Sequence, residues 1–371
     1  MSSGDCKEGR SGARNPCSMP IKHNIDLPSF DVPAGLMIGP RSFRTDRIKP
    51  AAEVIKLSST KTGGGTLQLE MGEFDFHPPA LSLLRRARSQ FLESQQSELP
   101  TNMVAFDCRF HSPSNWAHFL NDHMALFSIA LESFRLKIEE VYLILPSDIP
   151  KYITNLCLAC GLRFVCTDGI IHSKGIRIEI NHFNDIRGIR TNWLQDAKNS
   201  PVAKLVADLN TSSEHCNRRI YLSRRNTRNI RNGDELASEL SILGFERIFM
   251  EDLPVKDQLK LVYKVDFIIA IHGAALAPLA YKTNATHNTK VVEIFPIGHV
   301  TNNFRCIAAK IGAQWIGILG KTEKINYPHL YNLSTPYTKH SLASFEVDVE
   351  SVKIALECLS TKQTKEQFNE A

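Results

Sequence analysis

The chain has no apolar run near the ~18 residues that a membrane-spanning helix needs; its longest clean stretch is Phe267 to Ile271. A helical membrane span is therefore not expected. Met1 to Ile21 also lacks the apolar core of a secretory signal, because Asp5, Lys7, Glu8, Arg10 and Arg14 are scattered among small residues. Cytoplasmic placement is the expectation. Charge of one sign is scarce: 44 Lys plus Arg stand against 39 Asp plus Glu, a formal +5. That falls short of the basicity that makes nucleic acid the expected partner. The nine cysteines, an odd number spread over 371 residues, read as reduced thiols and not as a disulfide framework. Cys157-Leu-Ala-Cys160 has redox or metal spacing but no second pair, so core cysteines are the favoured reading. Asn210, Asn284 and Asn332 sit in Asn-x-Ser/Thr patterns that carry no weight without an export route.

With 43% hydrophobic side chains, the chain can bury a sizeable core in one large or two medium domains. Residues 1–50 carry Gly, Ser, Pro and Arg without periodicity and read as an irregular leader. From Met103 the pattern turns regular. Val104 to Phe106 and Val141 to Leu145 are short strand candidates, while residues 113–135 and 149–160 have helical spacing, the latter closed by Gly161. This first α/β unit is assigned residues 51–200. A clearer alternation occupies 201–335, with strand candidates at Ile220 to Ser223, Arg247 to Met250, Val265 to Ile271, Val291 to Phe295 and Trp315 to Leu319. Their spacing fits βαβ units and a parallel sheet. Asn232-Gly-Asp-Glu235 resembles a capping box for a helix that Gly244 can close. Residues 336–371 read as one more helix and a polar tail.

Three segments are suited to chemistry. Ligands of open parallel sheets bind beyond the carboxyl ends of the strands, and the most apolar strand runs straight into His272-Gly-Ala-Ala-Leu276. Gly273 lets a ligand approach the backbone, the amides of Ala274 and Ala275 can receive phosphate oxygens, and His272 can add a hydrogen bond. The alternative is a turn kept for packing alone. Six arginines fall between Arg218 and Arg231, and the fork of a guanidinium suits phosphate. Emerging from the same sheet, Arg224, Arg225 and Arg228 would overhang the His272 turn, although a charge run is often a solvated face. In the first unit, Ser112 and Pro113 open a helix on which Asn115, His118 and Asp122 share a polar face. His118 and Asp122 can serve as a base and its orienter, or the carboxylate can itself take the proton. The pair could also be half of a metal site, but no partner pair stands at ligand spacing.

Together these segments resemble glycosyltransferase family 61. The matching elements are Asn115-x-x-His118-Phe-Leu-x-Asp122, Tyr221-Leu-Ser-Arg-Arg225 with Asn232-Gly-Asp-Glu-Leu236, Leu243-Gly-Phe245, Ile271-His-Gly-Ala-Ala-Leu276 and Val291-Val-Glu-Ile-Phe-Pro296. The resemblance covers about residues 100–320. It implies a GT-B-like α/β fold, with two Rossmann-like domains whose parallel sheets face a cleft. The 51–200 unit would be acceptor-side and the 201–335 unit would bind a nucleotide-sugar. It further implies inverting transfer of the hexosyl- or pentosyltransferase class to a glycan or glycoconjugate hydroxyl, with no cofactor or obligatory metal. By position, His272, Gly273, Ala274 and Ala275 would meet the donor diphosphate and Arg224, Arg225 or Arg228 would neutralise it. Asn115, Asn232 and Glu293 would complete the donor site, Glu293 near the nucleoside. Asp122, ahead of His118, would be the acceptor base. The chain departs from the resemblance at Ala275, Ala277 and Pro278, where many relatives have glycine, threonine and asparagine, and in the stretch Asn284 to Thr289. Rival readings are a catalytically silent scaffold of the same fold and a polyanion binder using the arginine loop. Peripheral membrane association through basic loops accompanies the cytoplasmic expectation.

Overall fold

In the computed structural model, the described residues are 19–40, 52–78, 102–179, 200–210, 218–282, 289–296, 299–321 and 341–360. The expected insertion at Asn284, the far tail and most of the leader lie outside them. The fold is α/β, with two sheets.

The first sheet has the order β1-β4-β8-β5-β6-β7, built from β1 (Ile21–Val32), β4 (Thr60–Phe76), β5 (Val104–Asp107), β6 (Val141–Leu145), β7 (Arg163–Cys166) and β8 (Ile171–Glu179). Strands β8, β5, β6 and β7 run parallel, and β1 and β4 add an antiparallel flank. The second sheet has the order β10-β9-β11-β12-β13-β2-β3. Its parallel strands are β9 (Arg219–Ser223), β10 (Phe245–Phe249), β11 (Phe267–Ile271), β12 (Lys290–Phe295), β13 (Gln314–Leu319) and β2 (Gly35–Pro40), and β3 (Ala52–Leu57) closes it antiparallel. Every residue of β6 and β11 is buried, as expected of strands covered on both faces, which need unbroken apolar runs and not alternation.

Residues 21–40, expected in an irregular leader, instead form β1 and β2. These strands pair with β4 and β3, so one long antiparallel ribbon passes from the first sheet into the second. The ribbon crosses both the 50/51 boundary and the division between the two units. Among the described side chains of β1 only Leu27 and Val32 are buried; Asp26, Ser29 and Asp31 break the pattern, so local periodicity conceals a strand stabilised by a partner some forty positions away. At the crossing point, Arg305 Nη2 donates to the carbonyls of Pro33 and Ser58, both at 2.7 Å. A single cation thus ties both legs of the ribbon.

Helices follow the strands as the spacing predicts. They include α1 (Trp116–His118), α2 (Met124–Ser133), α3 (Lys151–Ala159), α4 (Pro201–Leu209), α5 (Gly233–Ile242), α6 (Val255–Lys264), α7 (Asn303–Lys310) and α8 (Val349–Ser360). Between α1 and α2 the chain widens into a turn of π-helix, Phe119–His123, and a 3₁₀-helix spans Ala274–Tyr281. Gly244, at φ 80, ends α5 in the left-handed region. Lys282 is buried and donates to the carbonyls of Tyr263 and Val265 at 2.6 Å. It satisfies carbonyls that the end of α6 leaves open, and burial pushes its ammonium down to about 8.

One core runs through both sheets. Phe106, Phe127 and Leu143 of the first unit pack in the same cluster as Leu222, Ile268, Val291 and Leu276 of the second. The opposite face of the second sheet, with Ile269, Ile271, Val292 and Ile316, is covered by Leu236 and Leu240 of α5 and by Val352 and Ala355 of α8. Among the described residues no helix is long and apolar enough to cross a membrane.

Candidate active site

Strand β11 ends at Ile271, and the His272 amide continues the sheet by donating to the Ile294 carbonyl at 2.8 Å. The imidazole is 4% exposed. Its Nδ1 lies 2.5 Å from Glu293 Oε1, and the other oxygen of Glu293 accepts from Trp315 Nε1 at 2.8 Å. The ring stacks on Phe295 at 5.0 Å. Nδ1 is thereby committed, and Nε2 is the nitrogen left for a ligand. Glu293 is wholly buried, with both oxygens used. It stands behind His272 and orients it, where the resemblance had placed it beside a nucleoside.

Arg224 Nη1 and Arg228 Nη1 both donate to the His272 carbonyl, at 3.3 and 3.2 Å. Arg228 is fixed further by its Nε to the Ser341 carbonyl at 2.5 Å, and it holds a left-handed backbone at φ 58. Burial, and then the neighbouring Arg224, bring its guanidinium down to about 10. Burial also lowers Arg224, against a partial pull from Glu251. Burial, His272 and Arg228 push His299 down to about 4, and its ring lies 4.8 Å from that of His272. Two guanidiniums and two imidazoles thus gather around Gly273, while the carboxylate behind them is already spent. Such a cluster is suited to receive an anion. Gly273 sits at φ 153, ψ −170, a region that only glycine occupies freely. Ala274 and Ala275 open the 3₁₀-helix, where the first amides have no carbonyl within the helix to meet. Pro278, inside this helix, has no N–H to give, and its residues are buried from Leu276 onward.

In the first unit, β5 leads into a loop in which His111 and Ser112 are both left-handed, at φ 49 and 54. Asn115 then caps α1, its side-chain oxygen accepting from the amides of Ala117 and His118 at 2.9 and 3.4 Å. That capping role replaces the donor contact expected of it. His118 Nδ1 lies 2.7 Å from Asp122 Oδ2 across the π turn. Asp122 is 1% exposed, and His118 is 29% exposed at its side chain. His111 Nε2 is 3.5 Å from the same carboxylate oxygen. Within the π turn the Leu120 carbonyl accepts from Tyr281 Oη at 2.6 Å. This bond ties the turn carrying Asp122 to the far end of the 3₁₀-helix that begins beside Gly273, and each cluster lies beyond the carboxyl end of a central strand.

Two expected residues stay outside. Arg225 is drawn to Asp252 by paired bonds of 2.5 and 2.6 Å and lies over the Phe249 ring. Asn232 starts α5 without a capping bond from its side chain. Instead its amide donates to the Val347 carbonyl at 2.8 Å and accepts from the Val347 amide at 3.0 Å, which pins the segment leading to α8. The residues missed from sequence are His111, His299 and Trp315. His111 and His299 lie on loops, where no spacing rule applies. Trp315 would have been signalled by the charge of Glu293 inside Val291-Val-Glu-Ile-Phe295, since a buried carboxylate demands partners.

The family model of glycosyltransferase 61 matches residues 116–292. Over those residues the chain is similar to glycosyltransferase family 61. The family 61 region takes in His118, the π turn, the arginine loop and the His272 turn, and it stops just before Glu293. No curated protein matches the chain. Among solved structures, the chain is similar to the dodecameric iron-containing heptosyltransferase TibC, crystallised with ADP-D-beta-D-heptose. The identity is 12%, the TM-score is 0.32, and 76% of each chain is covered.

Proposed function

We propose that the chain is an inverting glycosyltransferase that moves a sugar from a nucleotide-sugar to an acceptor hydroxyl of a glycan or glycoconjugate, with no obligatory metal. Cell-surface polysaccharide or glycoconjugate synthesis is the setting we assign to it. The observation that carries the reading is the cationic turn at His272-Gly273, preset by Glu293 and Trp315, within the family 61 region. The donor diphosphate is held by Arg224, Arg228, His272 Nε2 and the first amides of the 3₁₀-helix. As the acceptor oxygen bonds to the anomeric carbon, the bond from that carbon to the diphosphate breaks. Negative charge then grows where those donors already point. The hydroxyl proton passes to His118, with Asp122 holding the opposite ring nitrogen. We assign the base to His118 and the orienting role to Asp122, reversing the preference read from the sequence, because the carboxylate is buried behind the imidazole.

A thermal-shift screen with UDP-, GDP-, CMP- and dTDP-sugars tests this. At a hundred times Kd, binding adds about 2.7 kcal/mol to stability, a shift of several degrees. One nucleotide class should raise the midpoint with or without EDTA, and His272→Ala should remove the shift. No shift with any donor, beside a clear shift with heparin, rejects the transferase and favours a polyanion binder.

The state of His299 adds a pH signature. Its depressed pKa keeps it neutral at pH 7, and an anion beside it favours its protonated form. Linkage therefore requires donor affinity to rise as pH falls from 7 towards 5. Calorimetry in buffers of different ionisation heat should record proton uptake on binding, lost in His299→Gln. Binding without proton uptake would place the anion away from His299.

A further inference from the structure

We infer that His111, His118 and Asp122 form a binding site for a divalent transition metal of the zinc class. Their ligand atoms all lie within 4.8 Å of one another, and each imidazole brings a nitrogen to within 3.5 Å of Asp122 Oδ2. Tetrahedral zinc with bonds of about 2.0–2.1 Å separates neighbouring ligand atoms by roughly 3.3 Å. The edge from His111 Nε2 to Asp122, 3.5 Å, already has that length. The edge from His118 Nδ1, 2.7 Å, is a hydrogen bond, and it needs to open by roughly half an ångström once a metal replaces the shared proton. The His118 imidazole, 29% exposed at its side chain, can supply that movement.

Two nitrogens and one carboxylate oxygen make a donor set suited to zinc, cobalt or iron(II). Magnesium and calcium prefer oxygen alone. Three protein ligands also leave positions open to water. A second observation favours a built site. Hydrogen bonding already gives Asp122 one imidazole at 2.7 Å, yet His111 is brought to the same oxygen through two successive left-handed residues, His111 and Ser112. Backbone strain of this kind collects at ligand-binding positions. His123 Nε2, 3.4 Å from the His111 carbonyl, supports the strained loop from behind.

The inference does not depend on the transferase reading, because its readout is the metal. Should both hold, metal and acceptor proton compete for the same imidazole, so an occupied site has no base and the metal is inhibitory.

The test titrates cobalt(II) into the full chain after removal of metals, following the visible absorption of low-coordinate cobalt. One equivalent should bind with that absorption, and zinc(II) should displace it. His111→Ala and Asp122→Asn should each weaken binding at least tenfold. His172→Ala, which removes a surface histidine paired with Asp75, should change nothing. His118→Ala, at the partly exposed end of α1, gives a further reading should either of the other ligand variants melt early in the absence of metal. Absence of the absorption, or its survival in His111→Ala and His118→Ala, overturns the site. Nucleotide-sugar shifts on His111→Ala should match those of the parent chain, which separates a failure here from a failure of the donor site.

Discussion

Gly273→Ala is expected to cost nucleotide-sugar affinity at least tenfold while the chain still folds. A Cβ at this position runs into the guanidinium of Arg224 and lies within 3.6 Å of Arg228 Nη1. Both arginines are anchored on the carbonyl of His272, so relief by moving them breaks the cation cluster itself. The backbone adds its own penalty, since φ 153 costs a non-glycine residue of order 1–3 kcal/mol. A tenfold loss corresponds to about 1.4 kcal/mol. Calorimetric titration with the donor found in the thermal screen measures it. Gly244→Ala is the control: it too has a positive φ, but nothing lies within 4 Å of the added Cβ. It should lower the melting temperature and leave the affinity unchanged. Equal affinity in Gly273→Ala and the parent would move the diphosphate away from this turn.

Deletion of residues 1–58 should leave no cooperatively folding protein. An irregular leader could be trimmed at little cost, but here the cut removes β1, β2 and β3. It takes Leu27 and Val32 from one sheet and Met37 and Ile38 from the other. Each such burial is worth about 1.5–3 kcal/mol, and together they are of the order of a domain's whole net stability. The cut also bares the edges of β4 and β13, which then invite aggregation. Soluble yield, circular dichroism and a melting curve decide the matter. Arg305→Met is the milder companion. It keeps every strand but loses the bonds to Pro33 and Ser58, and it should lower the midpoint without abolishing the transition. A deleted chain that melts cooperatively at the parental temperature would show the ribbon to be dispensable.

The contrast between those two regions explains what was legible in the sequence. β11 and β12 could be read directly, because strands buried on both faces announce themselves as short apolar runs between helices. The ribbon could not. Its partners are distant in sequence, its exposed face is polar, and its register depends on pairings that no local pattern contains. The arginines and His272 were recognisable as a group because they share the carboxyl ends of one sheet. Their selection was not: Arg225 leaves for Asp252, a choice made by the position of an acidic residue beyond the next strand. Asn115 and Asn232 were read as ligand contacts, yet both bind backbone, Asn115 locally at the start of α1, as short amides often do, and Asn232 far along the chain at Val347. Asp122 and His118 were placed on one face correctly, but the π turn that sets their contact, and the loop that adds His111, are tertiary outcomes. Glu293 shows the same limit from the other side, since its charge was visible and its partners were not.

The rigidity of the His272 turn also bears on the kinetics of exchange. The two arginines rest on a backbone carbonyl, the imidazole rests on a buried carboxylate, and the helix that follows is buried and stiffened by Pro278. A ligand therefore meets a finished surface, and the entropy of ordering falls on the nucleotide-sugar instead of on the protein. Arrival is then governed by diffusion and charge. On the proposed function, departure follows how fast the phosphate contacts break, and release of the diphosphate product, which would keep those contacts, is expected to set the pace of turnover.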